Sequence, residues 1–493
     1  MKSLHRFITK IEPPNWVLGI IAFIVLFRIP SFFEPYYYGD EMIYTTLGLG
    51  IRRGLTLYSQ IFDNKPPLIY MIAAIAGNLF WFKAILAFWM IATTICFWHL
   101  MKNIFKTNKS AQRVSVLVFA IFTTIPLFEG NIVNAELFLI GPVILALTIL
   151  LTHPSVRNIF LAGICLGIAA LFKIPAAFDA PVIVVFWFVT LDKVNIKSLL
   201  DLVKKTLILI SGFAIPIALS FIWYFAKGAG KEYLTAAFLQ NLGYISSWNG
   251  GGNQSFVVKH GPLLIRAGVV AIGFIILRLG NRKLSKAFLI GAIWLLTSLF
   301  AVTLSERPYP HYMIQAIPSI SILVGLLITS VKFEQVLTII PLTIALFVPI
   351  YYKFYYYSTS SYYMRFVNFA DGSISKWDYF NSFDKYTTGN YAVSEFLVKT
   401  SNQDDKIFIW GDTAPIMYSL ARRLPGIKYV AAYHINDYSS RGDVLGELES
   451  NPPPFIVIPP NSPNWVELKN FVSMKYIQIY NQNGFTVWHL LIH

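Results

Sequence analysis

The sixteen residues PLIYMIAAIAGNLFWF (67–82) are apolar enough to pass for a membrane span, and whether they cross sets the direction of every helix after them. A crossing helix needs about 20 apolar residues to match a hydrocarbon layer of about 30 Å. Runs of that kind recur through the first 350 residues of this 493-residue chain, which is 56% hydrophobic and 13% charged. Soluble domains are about half apolar and about a quarter charged, so the chain reads as an integral membrane protein. Spans are expected near 16–33, 84–101, 114–128, 137–151, 158–174, 178–191, 206–225, 262–279, 287–304, 312–331 and 334–352.

Basic residues fix the orientation. Three clusters stand between these runs: Lys102, Lys106, Lys109 and Arg113; Lys193, Lys197, Lys204 and Lys205; and Arg278, Arg282, Lys283 and Lys286. With eleven spans and a cytoplasmic N-terminus all three fall inside, as the positive-inside rule requires. Counting 67–82 as a further span would put all three outside. We therefore expect 67–82 to be an interfacial or half-inserted helix on the outer side, 34–83 to be one long external loop, and the C-terminus to lie outside.

The formal charge of +15 follows from the cytoplasmic loops and calls for no nucleic-acid partner. Cys96 and Cys165 sit in apolar runs, where a thiol behaves as a small hydrophobe. Lys2, Arg6, Lys10 and Pro13-Pro14 precede a first apolar run with no small-residue cleavage site, which reads as a retained span.

On this topology several charged groups lie outside. Asp40 and Glu41 in GDEMIY (39–44) form an acid pair just beyond the first span. Lys65 is followed by Pro66-Pro67, whose rings stiffen the backbone. A rigidly held ammonium beside an aromatic interface suits a phosphate headgroup, and equally suits a lysine snorkelling to that level.

Further along, Glu129 and Glu136 bracket Asn131 and Asn134. Glu136 opens a helix, where the macrodipole favours an acid, but a carboxylate at membrane depth also tends to face a bundle interior or a water-filled cavity. Lys173 meets the same logic with the opposite sign. The run LSERPYPHYMIQAIP (304–318) packs Glu306, Arg307, His311, Tyr312 and Gln315 together. His311 is either a satisfied structural residue or a ligand or acid–base group. No HExxH, CxxC, Walker or GxGxxG-type motif appears, so metal and nucleotide chemistry have no direct support. These groups would converge on the outer face of one helical bundle, favouring a reaction on an amphiphile whose head sits at the outer leaflet.

Beyond Tyr352 the pattern changes. KIFIWG, KYVAAY and FIVIPP read as strands, APIMYSLARR and 441–449 as helices, and YIQIYNQNGFTVWHLL as two strands joined by a turn. Such alternation gives a small α/β domain, so the chain divides into 1–352, a transmembrane domain with the external loop 34–83, and 353–493, an extracytoplasmic α/β domain. The latter is a structural cap or an acceptor-binding lid, and Asp412 and Asp437 are solvated surface.

GDEMIY, IFDNKPPLIY, EGNIVNAELF, GICLGIAALFK, ERPYPHYMIQAIP and DDKIFIWGDTAPIMYSLARRLP, in this order, resemble the bacterial GT-C glycosyltransferases of the protein O-mannosyltransferase and aminoarabinose transferase type, family 39-like. The resemblance covers almost the whole chain. It implies a GT-C-like membrane fold of about 11 spans with a C-terminal extracytoplasmic α/β domain. It also implies transfer of a sugar from a polyprenyl-monophosphate donor to a lipid, glycan or protein acceptor at the outer face of the cytoplasmic membrane.

By resemblance Asp40 is the catalytic base with Glu41 beside it, Lys65 contacts the donor phosphate, and Glu136 is the acid of the second external loop. Asn64 stands where some relatives carry a Glu before the lysine. Lys173, Arg307, His311 and Tyr312 are the further substrate-binding candidates. No cofactor is required by this reading, and a divalent cation is compatible with it. A transporter or flippase of lipid-linked sugars is the alternative of a different class, but no internal repeat of the kind such proteins carry is visible.

Overall fold

The computed structural model describes residues 13–243, 256–329, 333–460 and 462–491. Lys2, Arg6 and Lys10 lie outside the described residues. Two compact units emerge. One comprises residues 1–29, 86–218 and 243–359, the other 30–85, 219–242 and 360–493.

The first unit is helical. Across the described residues seven helices are long and apolar enough to cross a membrane: Asn15–Phe33, Leu79–Phe105, Ala135–Thr152, Ile196–Ala226, His260–Lys283, Pro310–Thr329 and Phe333–Tyr351. Val156–Phe172, Ile174–Val189 and Lys286–Val302 are apolar but shorter. The span expected near 114–128 falls on Lys109–Phe122, a 14-residue helix. At 1.5 Å per residue it is about 21 Å long, because the chain leaves the helix at Thr123 and turns at Pro126. The chain is a multi-pass helical membrane protein.

Close helix contact in this unit depends on the small residues of GICLG. A Cβ at Gly163 would strike the carbonyl of Leu209, and one at Gly167 the carbonyl of Phe213. Small residues four apart let two helix backbones touch where lipid supplies no hydrophobic drive.

In the second unit, residues 67–82 are not one helix. Leu68–Ala76 is a nine-residue helix that ends at Gly77, whose φ of 73° is left-handed, and Leu79 starts the next helix. Nine residues reach only about 13 Å, so the segment does not cross by itself. GDEMIY is likewise no loop. It opens the helix Gly39–Arg52 with Asp40 and Glu41 in the first turn, where carboxylates are favoured by the exposed N–H groups of the helix end. The two helices pack through Gly48 against the backbone of Ala73.

The C-terminal segment builds a four-stranded sheet of order β1 (Ile407–Ile409), β2 (Phe455–Ile458), β4 (Phe485–Leu490), β3 (Tyr476–Gln482). The pair β1/β2 is parallel, with Ile407 opposite Phe455, and β2/β4 and β3/β4 are antiparallel. Asn483 and Gly484, both with positive φ, make the two-residue hairpin turn that matches strand twist. Ile407, Ile409, Phe455, Val457, Phe485 and Val487 bury one core with Val393, Leu397 and Met417 from the helices Thr387–Thr400 and Ala414–Ala421.

One expected strand is absent. KYVAAY forms only an isolated bridge from Tyr429 to Phe62, and its last two residues start the helix Ala432–Tyr438. Its β-rich composition serves side-chain packing on Phe62.

Candidate active site

The sequence-derived residues form two clusters, one in each unit. In the second unit Lys65 is the centre. Its Nζ lies 3.7 Å from Asp40 and 3.8 Å from Asp63, and 5.2 Å from the Tyr44 ring centre. Its backbone is clamped from both sides. The Tyr58 hydroxyl donates to the Lys65 carbonyl at 2.9 Å, and the Lys65 N–H donates to the Tyr70 hydroxyl at 3.2 Å.

Tyr70 in turn donates to Asp63 at 2.7 Å. Asn64 donates to the Tyr438 hydroxyl at 2.6 Å. The Pro66-Pro67 stiffening is therefore reinforced by a hydrogen-bonded frame.

Asp40 and Asp63 differ in access. The Asp63 side chain is 1% exposed and that of Asp40 26%. Burial alone would push the Asp63 carboxyl up, but the Lys65 ammonium and bonds from His434 and Tyr70 hold it well below the usual carboxylate range. Burial would pull Lys65 down, yet Asp40 and Asp63 hold it well above the usual lysine value. Asp63 is thus a fixed anion under a fixed cation. Asp40, also bonded by the Tyr44 hydroxyl at 3.1 Å, is the more accessible carboxylate of the two.

Glu41 faces elsewhere. It is fully buried, 3.3 Å from the Nζ of Lys83, which also pairs with Glu34. Tyr362 donates to the other oxygen of Glu34 at 2.5 Å. Successive helix residues point about 100° apart, so adjacent acids serve different partners. Sequence reading missed Glu34, Lys83, Asp63 as a site residue, and His434. Lys83 carried a signal: a lysine inside FWFKAILAFW is expensive unless paired.

In the first unit Glu136 pairs with Lys173, and His311 Nδ1 bonds Glu129 while its Nε2 lies 3.9 Å from Glu136. Lys173 sits 4.0 Å above the Tyr312 ring, and Tyr309 stacks on His311 at 5.6 Å. The Tyr357 hydroxyl bonds Glu129, and burial together with that carboxylate raises its pKa. Glu136 and His311 are buried, whereas Arg307 is exposed on the preceding turn. Gln315 donates to Asp179 at 2.9 Å, as does the Trp294 indole at 2.9 Å.

No group of three or more His, Cys, Asp or Glu among the described residues is placed to hold a metal ion. The nearest approach, Glu129, His311 and Glu136, already has Lys173 seated on Glu136. This donor set does not fit a divalent cation.

Sequence comparison returns no matching family model and no matching curated protein. Comparison with solved structures does find likeness. ArnT from Cupriavidus metallidurans bound to undecaprenyl phosphate matches at 14% identity and a TM-score of 0.56, over 96% of this chain and 98% of that one. Its apo state matches at 13% identity and a TM-score of 0.51, over 96% and 97%. The apo Archaeoglobus fulgidus oligosaccharyltransferase matches at 13% identity and a TM-score of 0.46, over 90% and 70%, too low to carry an argument. The sequence resemblance pointed to a GT-C-like membrane fold, and the chain has the fold of the aminoarabinose transferase ArnT along almost its full length.

Proposed function

We propose that the chain is an inverting membrane glycosyltransferase that moves a sugar from a polyprenyl monophosphate to an acceptor hydroxyl at the outer face of the cytoplasmic membrane. The reading places the N-terminus in the cytoplasm and residues 353–493 outside. The observation that carries it is the Asp40–Lys65 pair: a reachable carboxylate 3.7 Å from a lysine that a buried acid and two tyrosines hold in place. A base and a phosphate-binding cation side by side are what displacement at an anomeric carbon needs.

In the proposed reaction the acceptor oxygen bonds to the anomeric carbon as the bond from that carbon to the phosphate oxygen breaks. The acceptor proton passes to Asp40. The bonding pair leaves with the phosphate, whose growing charge Lys65 stabilises. A positioned base contributes about 10²–10⁴-fold, and a cation fixed at the developing charge adds its own term without reorganising. Glu41, fully buried on Lys83, acts here by holding the Asp40 helix. Glu136, Lys173, His311 and Tyr312 form a buried polar network suited to orienting a sugar, and Arg307 is the exposed candidate for the lipid phosphate. Lipid, glycan and protein acceptors all supply the hydroxyl.

The test is release of free polyprenyl phosphate from polyprenyl-phosphate-linked sugars by the purified protein, wild type against Asp40→Asn. Loss of about 10²–10⁴-fold with donor binding retained supports the reading. Near wild-type release in the variant removes Asp40 from catalysis. No release from any donor, with intact lipid-linked sugar crossing vesicles, would make the chain a transporter.

A further inference from the structure

The C-terminal α/β segment contains a cavity of about 420 Å³, inside the range of roughly 300–1,000 Å³ typical of small-ligand sites. Its place in the sheet is telling. Trp410 directly follows β1, and the Pro459-Pro460 turn directly follows β2, so the cavity opens at the carboxyl ends of the parallel pair. That edge is where open α/β sheets usually bind ligands. The walls include Trp410, Trp465 and Trp488, with Ser462, Thr486 and Lys469 as the polar groups. Trp410 and Trp465 are 2% exposed, and Arg441 lies over both rings at 5.2 and 5.9 Å. Trp488 and Lys469 stand nearer the solvent.

The hydrogen-bond inventory selects the ligand. The Trp410 indole N–H donates to the Pro463 carbonyl at 2.6 Å, and that of Trp488 to the Thr486 hydroxyl at 3.0 Å. The single Ser462 hydroxyl proton is shared between the carbonyls of Trp410 and Pro459, whose oxygens lie 2.5 and 2.7 Å from its Oγ. The two hydroxyl oxygens keep acceptor lone pairs, and Lys469, held by Asn464 at 2.9 Å, adds a donor.

A proline-rich peptide would need indole N–H donors for its carbonyls, and two of the three wall indoles, Trp410 and Trp488, have theirs committed. A sugar ring brings its own O–H donors to the hydroxyl oxygens, accepts from an ammonium, and lays its C–H face on indole.

We propose that this cavity binds a neutral saccharide, a pyranose ring or two, and so gives the C-terminal segment a glycan-recognition role apart from the Asp40–Lys65 pair. Its purpose as an acceptor site rests on the glycosyltransferase reading, but the binding does not.

Saturation-transfer NMR on the full chain in lipid nanodiscs, without donor, tests it with methyl α-mannoside, maltotriose and lactose, and decaproline as the peptide control. At least one saccharide should show saturable transfer to its ring C–H protons. Trp488→Ala should weaken it at least about tenfold, Trp488→Phe no more than about threefold, and the surface change Lys469→Ala about threefold. Should Trp488→Ala fail to fold, the Trp488→Phe and Lys469→Ala pair decides. No saccharide transfer, transfer unchanged in the variants, or binding of decaproline alone overturns the proposal. A chain that turns over no donor yet binds saccharide leaves this site standing and removes the transferase reading; the reverse result does the opposite.

Discussion

Replacing Lys83 by methionine removes the ammonium that the structure seats between Glu34 and Glu41. All three side chains are at most 2% exposed, so water cannot take over. Removing one partner of a buried pair costs about 3–5 kcal/mol, because the surviving charge stays desolvated. Here two carboxylates survive, from two separate segments, with the Tyr362 hydroxyl the described donor to Glu34.

The second unit has roughly 200 residues, for which 1 kcal/mol moves the melting temperature by about 2–4 °C. Lys83→Met should therefore lower it by about 6–20 °C. The assay is thermal unfolding of the purified protein by tryptophan fluorescence, at one scan rate for all variants since such unfolding is often irreversible. Replacing the cluster by neutral groups of similar volume is often close to neutral, so Lys83→Met/Glu34→Gln/Glu41→Gln should recover most of the loss. A single variant within about 1 °C of wild type, or a triple variant no better than the single, refutes the reasoning.

Three further outcomes follow from the geometry. Lys65→Ala should slow polyprenyl phosphate release by about 10²–10³-fold, the scale of losing one fixed group at a developing charge; a loss below threefold by single-turnover kinetics would take the phosphate role from Lys65. The Asp63–Lys65 pair also has a pH signature. Asp63 is depressed from 3.8, so its contribution is complete above that value and lost as pH falls through its lower folded value; Lys65 is raised from 10.5, so its contribution is complete below that and lost as pH rises through its higher folded value. The stability difference between wild type and Lys65→Ala should then be flat from about pH 5 to about pH 9 in denaturant titrations, and a change of more than about 1 kcal/mol inside that window contradicts the assignment. Gly163→Leu should cost about 1–3 kcal/mol by overpacking, read as easier unfolding in detergent, since its Cβ would meet the Leu209 carbonyl.

The sequence showed most of the helices, because about 20 apolar residues in a row have few other homes. Charge bookkeeping set 67–82 apart from the spans, and the structure breaks that run locally: Gly77 takes a left-handed conformation and ends the helix after nine residues. The strand expected at KYVAAY failed because β-branched and aromatic composition reports a half-buried surface rather than a ladder. At the candidate site, Asp40 and Lys65 were singled out from a short motif and its prolines, and the structure sets them 3.7 Å apart. What was not legible was their environment, since His434 and Tyr438 come from a distant segment and only folding brings them to Asp63 and Asn64.

Glu41 shows the limit most clearly. Adjacent in sequence, Asp40 and Glu41 look like one acid pair, but the helix that starts at Gly39 turns them toward different partners, Lys65 and Lys83. One carboxylate is left at the surface of its site while the other is sealed on a buried lysine. On the proposed mechanism that division is useful: an acid that must accept a proton stays accessible on a helix whose first turn is anchored by a neighbour that never sees substrate. Glu41→Gln should then lower stability more than it lowers turnover per folded molecule, and Asp40→Asn should do the reverse. Equal effects of the two substitutions on turnover would mean that the pair works as a unit after all.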